Sequence, residues 1–454
     1  MADVGAPPQP TALDAAFASH LEEVCRRTAS ALEACGHSAL LVHSGSLLPV
    51  FLDDRTYPFE AHAPFKVWAP LLDAPESFVY FEPGRRPLLL LHQPQDYWYK
   101  PPAPPRGYWT RHFDIHPCAD REAARRLLPA DLRRAAFLGD ALPELASWGL
   151  AAVNPPRLIR HLDFRRARKS GYELACLREA SRLGARGHLA AARAFQAGAS
   201  EFEIELAFLG ACGLREQDLP YNPIIALNEG AATLHYQVLQ TSRPAQTHSL
   251  LIDAGAEFAG YASDITRTYS HRDGGFAALI ERMDHLQQAL CADIKPGVDW
   301  REVHLQAHRL LAALLRDADI VTCGAEEAVD TALTSVFLPH GIGHLLGLEV
   351  HDVGGFMRAP DDGDIPRPEG HPYLRLTRVL EEGFVVTMEP GLYFIPQLLD
   401  AARAAGHSAR INWQRVDALR EFGGIRVEDD LAVTAAGHEN LTRDALRAAA
   451  SGER

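Results

Sequence analysis

The sequence predicts an α/β protein of two domains, and three observations carry that expectation. Short apolar runs alternate with helical patterns up to about residue 160. A strongly basic stretch, RHLDFRRARKSGYELACLREA (160–180), then breaks the composition. Beyond it the order helix, helix, strands runs once to about residue 270 and again to about 434. Alternating strands and helices are the pattern of layered α/β folds. The expected division is 1–160 for a small α/β N-terminal domain and 161–454 for a larger domain of two similar αβ halves. A chain of 454 residues can supply a separate core for each.

Taken in order, residues 14–36 have helical periodicity and SALLVHSG (38–45) reads as a buried strand. SFVYFEPGRRPLLLLH (77–92) reads as a hairpin turning at Pro83-Gly84, because proline sets φ and glycine tolerates the turn. YWYKPPAPPRGYW (97–109) is too rich in proline for regular structure, and RAAFLGD (134–140) is a further short strand. In the second domain, Ser170 with Glu173 and Ser200 with Glu203 have capping-box spacing, in which each side chain satisfies a free amide at a helix start. Ile204, Ala207 and Phe208 follow the second box at helical spacing, and 276–293 with 300–316 form the next helix pair.

Bulk properties exclude several classes. The formal net charge is −14, which argues against a general nucleic-acid binder or a partner of anionic lipid. Seven scattered cysteines form no CxxC, so reduced thiols are expected. MADVGAPPQP has no basic region followed by an apolar core, and no window approaches the ~20 apolar residues of a membrane helix. A cytoplasmic protein with no membrane partner is the expectation.

The residues that carry chemistry fall in the second domain. In LLIDAGAEFAGYASDITRTYS (250–270), Asp253 ends an apolar strand, and a turn near Phe258 would set Asp264 almost opposite it. Two buried carboxylates there repel one another unless a cation joins them, although strand ends in water or pairing with Arg267 would also serve. FLPHGIGHLLGLEVHD (337–352) holds His340, His344 and His351. The HxxxH spacing occurs in zinc peptidase helices, but Gly341 stands where HExxH has glutamate, and three glycines favour a turn or irregular strand. Glu389 ends the apolar strand of VVTMEPGLYF (385–394). In EFGGIRVEDD (421–430), Arg426 and Glu428 lie two apart on an expected strand and so on one face, where a simple ion pair is the plainer reading. Together the carboxylates and imidazole suit Mn²⁺, Co²⁺ or Zn²⁺, and a pair of such ions can activate water and polarise a carbonyl.

The order IDAG, SDITRT, HGIGH, VHD, MEPG and GIRVEDD resembles the metallopeptidases of the pita-bread fold, and among them the bacterial prolidases, or Xaa-Pro dipeptidases. HSGSLLPVFLDDRTYPF (43–59) and YNPIIALNEGAATLHY (221–236) resemble the same subgroup, so the likeness spans about 15–445. It implies a pita-bread catalytic domain and a pair of divalent ions, manganese before cobalt or zinc. Asp253 would hold one ion, Asp264 and Glu428 would bridge the two, and His344 with Glu389 would complete the other. It implies His235 and His351 as catalytic groups steadying the tetrahedral intermediate, with Glu389 passing a proton to the leaving nitrogen. His340, Arg426 and Tyr221 would contact substrate, Arg426 gripping its carboxylate. The substrate would be a dipeptide ending in proline. A homodimer is implied, with a loop near Asp53-Asp54 closing the cleft. An aminopeptidase for longer Xaa-Pro peptides or a phosphotriester hydrolase of the same fold would share these motifs; a binding protein that has lost catalysis would be expected to have lost ligands.

Overall fold

The structure is a computed structural model that describes residues 10–452, with side chains from residue 13. It divides into two compact units: one runs to Cys176 and takes in Ala359–Gly363, and the other holds Leu177–Arg358 and the chain from Asp364.

The first unit runs α1 (Pro10–Cys35), β1 (Ala39–His43), α2 (Ala63–Lys66), β2 (Phe78–Phe81), β3 (Leu88–His92), β4 (Asp114–Cys118), α3 (Arg121–Leu127), β5 (Ala135–Leu138), β6 (Ala152–Val153) and α4 (Pro156–Arg166). Its strands make one mixed sheet in the order β4-β3-β2-β1-β5-β6. β1 reads ALLVH with every residue buried, as expected of a central strand covered on both faces. The β2–β3 hairpin turns at Pro83-Gly84, as its sequence implies, with Gly84 at φ +82°. Leu41, Phe78, Leu90, Phe137 and Trp148 fill the core on one side of the sheet.

The second unit runs α5 (Gly171–Gln196, from residue 177 on), α6 (Glu201–Cys212), β7 (Ile224–Leu227), β8 (Ser249–Asp253), β9 (Glu257–Phe258), β10 (Tyr261–Ala262) and β11 (Thr266–Ser270). It continues through α7 (Gly275–Ala292), α8 (Trp300–Asp317), α9 (Ala325–Asp330), α10 (Thr334–Phe337), β12 (Val385–Met388), β13 (Gly391–Tyr393), α11 (Pro396–Ala404), α12 (Trp413–Leu419), β14 (Gly424–Arg426), β15 (Asp429–Val433), β16 (His438–Asn440) and α13 (Leu441–Ser451). Both capping boxes form: Ser170 and Ser200 amides donate to Glu173 and Glu203 at 2.8 Å, and each serine hydroxyl accepts in return. Each half contributes a three-stranded antiparallel sheet, β11-β8-β7 and β12-β15-β16. The halves join where Thr266 pairs with Glu428, and within the second half Leu345 pairs with Val386.

Two local expectations are corrected. The hairpin after Asp253 turns at Ala259-Gly260, both at positive φ, because a two-residue turn of that hand needs both central residues there. Asp253 therefore faces Thr266, and Asp264 falls diagonally from it on the same face. GIRVEDD is also not one strand: β14 ends at Arg426 and β15 starts at Asp429. Between them the Val427 amide turns to the Pro390 carbonyl and the Glu428 amide to that of Thr266. All seven cysteines are free thiols, and among the described residues no helix is long and apolar enough to cross a membrane.

His188 on α5 is fully buried, with Nε2 2.9 Å from the Ala254 carbonyl beside Asp253. Burial lowers its pKa from 6.5 to about 4, so it folds neutral. The unfolded chain takes up that proton first, so the stability His188 confers is present above about pH 6.5 and lost as pH falls to about 4. Urea unfolding should show a loss of at most roughly 3 kcal/mol from this group across that window. His188→Gln should flatten the slope there; an unchanged slope would assign it to other histidines.

Candidate metal centre and cleft

The site is assembled by backbone pairing around Thr266. On one side Thr266 is in register with Asp253 across β8 and β11. On the other it pairs with Glu428, whose amide donates to the Thr266 carbonyl at 3.0 Å and whose Oε2 accepts from the Thr266 hydroxyl at 2.6 Å. One threonine thus holds two of the five expected ligands, Asp253 at the end of β8 and Glu428 between β14 and β15.

The glycine-rich histidine segment is irregular, as its composition implies, and it runs antiparallel beside β12. The Glu389 amide donates to the Ile342 carbonyl, the Thr387 amide to that of His344, and the Leu346 amide to that of Val385. This brings His344 beside Glu389. Gly343 permits it: at φ +153°, an added Cβ would stand 2.2 Å from the Thr387 carbonyl oxygen. His344 directs Nδ1 to the Leu345 carbonyl at 3.0 Å, which leaves Nε2 3.5 Å from Asp264 Oδ2 and 3.6 Å from Glu389 Oε1. A histidine anchored through Nδ1 to a carbonyl presents Nε2 as a metal ligand.

Asp264, His344 and Glu428 each offer a ligand atom within 4.8 Å of the other two. Asp253 and Glu389 line the same cavity of about 630 Å³. The electrostatics are those of crowded anions. Burial, with Asp264 and the other carboxylates, drives Glu428 well above the usual carboxylate range. Burial raises Asp253 despite Arg426, and raises Glu389 to about 7 despite His344. Asp264 alone is held low, its burial outweighed by His344 and Tyr221. Four carboxylates and one imidazole in one place, three of them forced toward the neutral form, fit a pair of divalent cations: hard oxygen donors plus one nitrogen, with anionic charge to match.

The other expected site residues divide. His340, His351, His235 and Arg426 line the cavity, with His351 and His235 exposed to it. Burial, then His344 and Arg375, lowers His351 to about 4, and burial with Arg426 lowers His340 to about 3, so both imidazoles are neutral. His340 Nε2 lies 2.8 Å from the Tyr393 hydroxyl. Tyr221 donates to Asp253 at 2.8 Å and Asp264 at 2.7 Å, behind the carboxylates. Arg426 is buried and committed: Nη2 donates to Asp253 at 2.7 Å, Nη1 to Tyr393 at 2.8 Å and Nε to Thr266 at 3.2 Å. The ion pair with Glu428 read from their spacing is replaced by one with Asp253, because the chain turns between β14 and β15. Arg267 pairs with Asp429 at 2.6 Å. Sequence reasoning passed over Arg367 and Arg375, which also line the cavity; they sit in LRLTR and its approach, with no spacing that marks them.

Residues 175–435 match metallopeptidase family M24, and residues 15–164 match the N-terminal domain described for Xaa-Pro dipeptidase. The chain belongs to metallopeptidase family M24. As an M24 member it is a hydrolase that depends on divalent metal. A protein of Stenotrophomonas maltophilia (strain K279a) named Xaa-Pro dipeptidase is 48% identical over 436 residues, covering 96% of this chain and 98% of the relative. One of Aeromonas hydrophila with the same name is 46% identical over 431 residues, 94% of this chain and 98% of the relative. Among solved structures, zinc-substituted Escherichia coli aminopeptidase P in complex with product superposes with a TM-score of 0.71 at 22% identity, over 96% of this chain and 99% of that one. Aminopeptidase PepP of Pseudomonas aeruginosa gives 0.70 at 23%, over 95% and 99%. These place the M24 chain in the pita-bread fold.

Gly343→Ala should push the histidine segment off β12. The expected result is a loss of roughly 2–3 kcal/mol in stability, with reduced retention of divalent metal on gel filtration, measured by elemental analysis. Wild-type metal content would show that His344 does not depend on this close approach.

Proposed function

We propose that this protein is an Xaa-Pro dipeptidase working with two divalent ions, manganese in the native state. The observation that carries the reading is the meeting of Asp253, Asp264, His344, Glu389 and Glu428 in one cavity, in a chain 48% identical over 96% of its length to a protein of that name. In this reading Asp253, Asp264, His344, Glu389 and Glu428 would hold the two ions between them. When bound, the ions supply Lewis acidity and water acidified enough to attack a carbonyl at neutral pH.

The side chains do the rest. His351 and His235, facing the cavity, donate to the oxyanion that forms on the scissile carbonyl. Glu389 lines the cavity and carries a proton to the leaving nitrogen. The Xaa-Pro nitrogen is a tertiary amide with no N–H, so recognition rests on shape and on the substrate carboxylate. Arg426 commits three of its five N–H donors to Asp253, Tyr393 and Thr266, and in this reading acts by holding Asp253 in place. The exposed Arg375, lining the same cavity, is the better group to meet the carboxylate. His340 and Tyr221 support this shell, through Tyr393 and through the two aspartates.

The reading extends to a homodimer in which 1–160 serves dimerisation and cleft closure and 161–454 catalysis. What supports it is the loop around Asp53-Asp54. The Val50 amide and Arg55 carbonyl bond at 2.8 Å, and so do Tyr57 and Leu48 at 2.9 Å, making a small hairpin. Its tip leaves Phe51 86% and Leu52 91% exposed, a large apolar surface for a monomer to show to water.

Metal-stripped protein reloaded with Mn²⁺, Co²⁺ or Zn²⁺ should cleave Xaa-Pro dipeptides best with Mn²⁺, tripeptides and phosphotriesters at least about 100-fold less well, and Asp264→Ala should cleave none. Tripeptides turned over as fast as dipeptides would assign an aminopeptidase instead. Arg375→Ala should raise KM for dipeptides about tenfold, the ~1–2 kcal/mol of a charged hydrogen bond, with kcat nearly kept. Arg426→Ala should lower kcat and metal affinity together; a rise in KM alone would return the carboxylate to Arg426.

A further inference from the structure

Apart from the cleft carboxylates, three further histidines meet in the second unit. His304 and His308 lie one turn apart in α8, in WREVHLQAHRLL, and His371 packs against both. The ring centroids are 4.5–4.8 Å apart. One ring nitrogen of each lies within 4.8 Å of those of the other two. His304 is 1% exposed and His308 2%. His308 Nδ1 is 2.9 Å from the Thr334 hydroxyl, and His304 Nε2 is 2.9 Å from His371 Nδ1. That leaves His308 Nε2 and His304 Nδ1 buried with no hydrogen-bond partner, a costly state for a polar atom.

Nothing in the proposed reaction uses these rings. Burial, and then the neighbouring imidazoles, push His304 down to about 2 and His308 to about 4, so both stay neutral across the working range, and burial lowers His371 as well. Neutral imidazole with a free lone pair is the form that binds metal. Thr334 occupies the Nδ1 side of His308, which leaves Nε2 as the nitrogen open to a metal, as outer partners do for metal-bound histidines.

We propose that His304, His308 and His371 form a separate site for one Zn²⁺-class cation, with three imidazoles and one open position. A tetrahedral ion at ~2.0–2.1 Å from each nitrogen sets the nitrogens about 3.3 Å apart, so His304 Nε2 and His371 Nδ1, now 2.9 Å apart, open slightly, the His308 nitrogen, within 4.8 Å of both, closes on them, and the His304–His371 hydrogen bond is exchanged for two metal bonds. The donor set discriminates: imidazoles favour zinc or copper over manganese, which the oxygen-rich cleft accepts. His371 directly precedes Pro372 and Tyr373, which line the cleft cavity. Ligation of His371 pins that wall.

The test is zinc stoichiometry of the full chain, stripped, saturated with Zn²⁺, gel-filtered and assayed for metal, with hydrogen exchange over 367–376. Wild type should hold three ions per chain, and His308→Gln and His371→Ala two each. Asp264→Ala, which strikes the cleft and not the triad, should keep the zinc-dependent protection over 367–376, and His371→Ala should lose it. His371 is only half-buried, so its variant should fold even where a core change at His308 does not. Two ions in wild type, or protection unchanged in His371→Ala, would overturn the site while leaving the dinuclear reading of the cleft standing.

Discussion

The second unit is organised around the repulsion of four carboxylates brought into one place. Asp253, Asp264, Glu389 and Glu428 come from separate strands or strand ends, and burial with their mutual field pushes three of them toward the neutral form. Such a cluster is unstable as built from protein alone. The surrounding groups answer it in part: Arg426 lies on Asp253, Tyr221 donates to Asp253 and Asp264, and His344 faces Asp264 and Glu389. One guanidinium and one imidazole do not balance four anions, and divalent cations would supply the difference.

That imbalance explains why the supporting shell is rigid. The ligands are held by backbone pairing rather than by one another. Thr266 binds Glu428 through both its carbonyl and its hydroxyl while in register with Asp253, and the 342–346 segment is laced to β12. Arg426 is fixed through all three kinds of guanidinium nitrogen, and Thr268 brackets its backbone with bonds at 3.0 Å in each direction. Repelling groups placed on floppy supports would separate; placed on paired strands they stay close to one another.

How much of this was legible in the sequence follows from what each feature depends on. Strand ends carrying acids, the capping boxes and the glycine-broken histidine run depend on local pattern, and each is where its residues imply. The partner of Arg426 depends on a chain turn between β14 and β15 that two-residue periodicity cannot register, so an expected neighbour pair became a contact with Asp253 across 173 residues. The turn after Asp253 moved from Phe258 to Ala259-Gly260 because positive φ at both positions outweighed symmetry about the two aspartates. The histidine triad shows the limit more sharply. The four-residue spacing of His304 and His308 was visible, but an i, i+4 pair on a helix is common; the third ring arrives from 67 residues away.

The neutral histidines connect the two functional regions. In the cleft, His340 and His351 are kept uncharged by burial and by the positive groups facing them, Arg426 for one and His344 and Arg375 for the other. A charged imidazole beside the ions would compete with them for the same carboxylates; a neutral one donates a hydrogen bond without doing so. The same burial that keeps these rings neutral keeps His304 and His308 neutral one layer behind, where there is no carboxylate within the cluster to share a cation. Desolvation therefore has two opposite outcomes in one unit. Where acids gather it demands metal to offset charge, and where imidazoles gather it leaves lone pairs that metal can take without changing the charge of any ligand. A chain that builds both kinds of cluster in one unit would separate its metals by the chemistry of their donors.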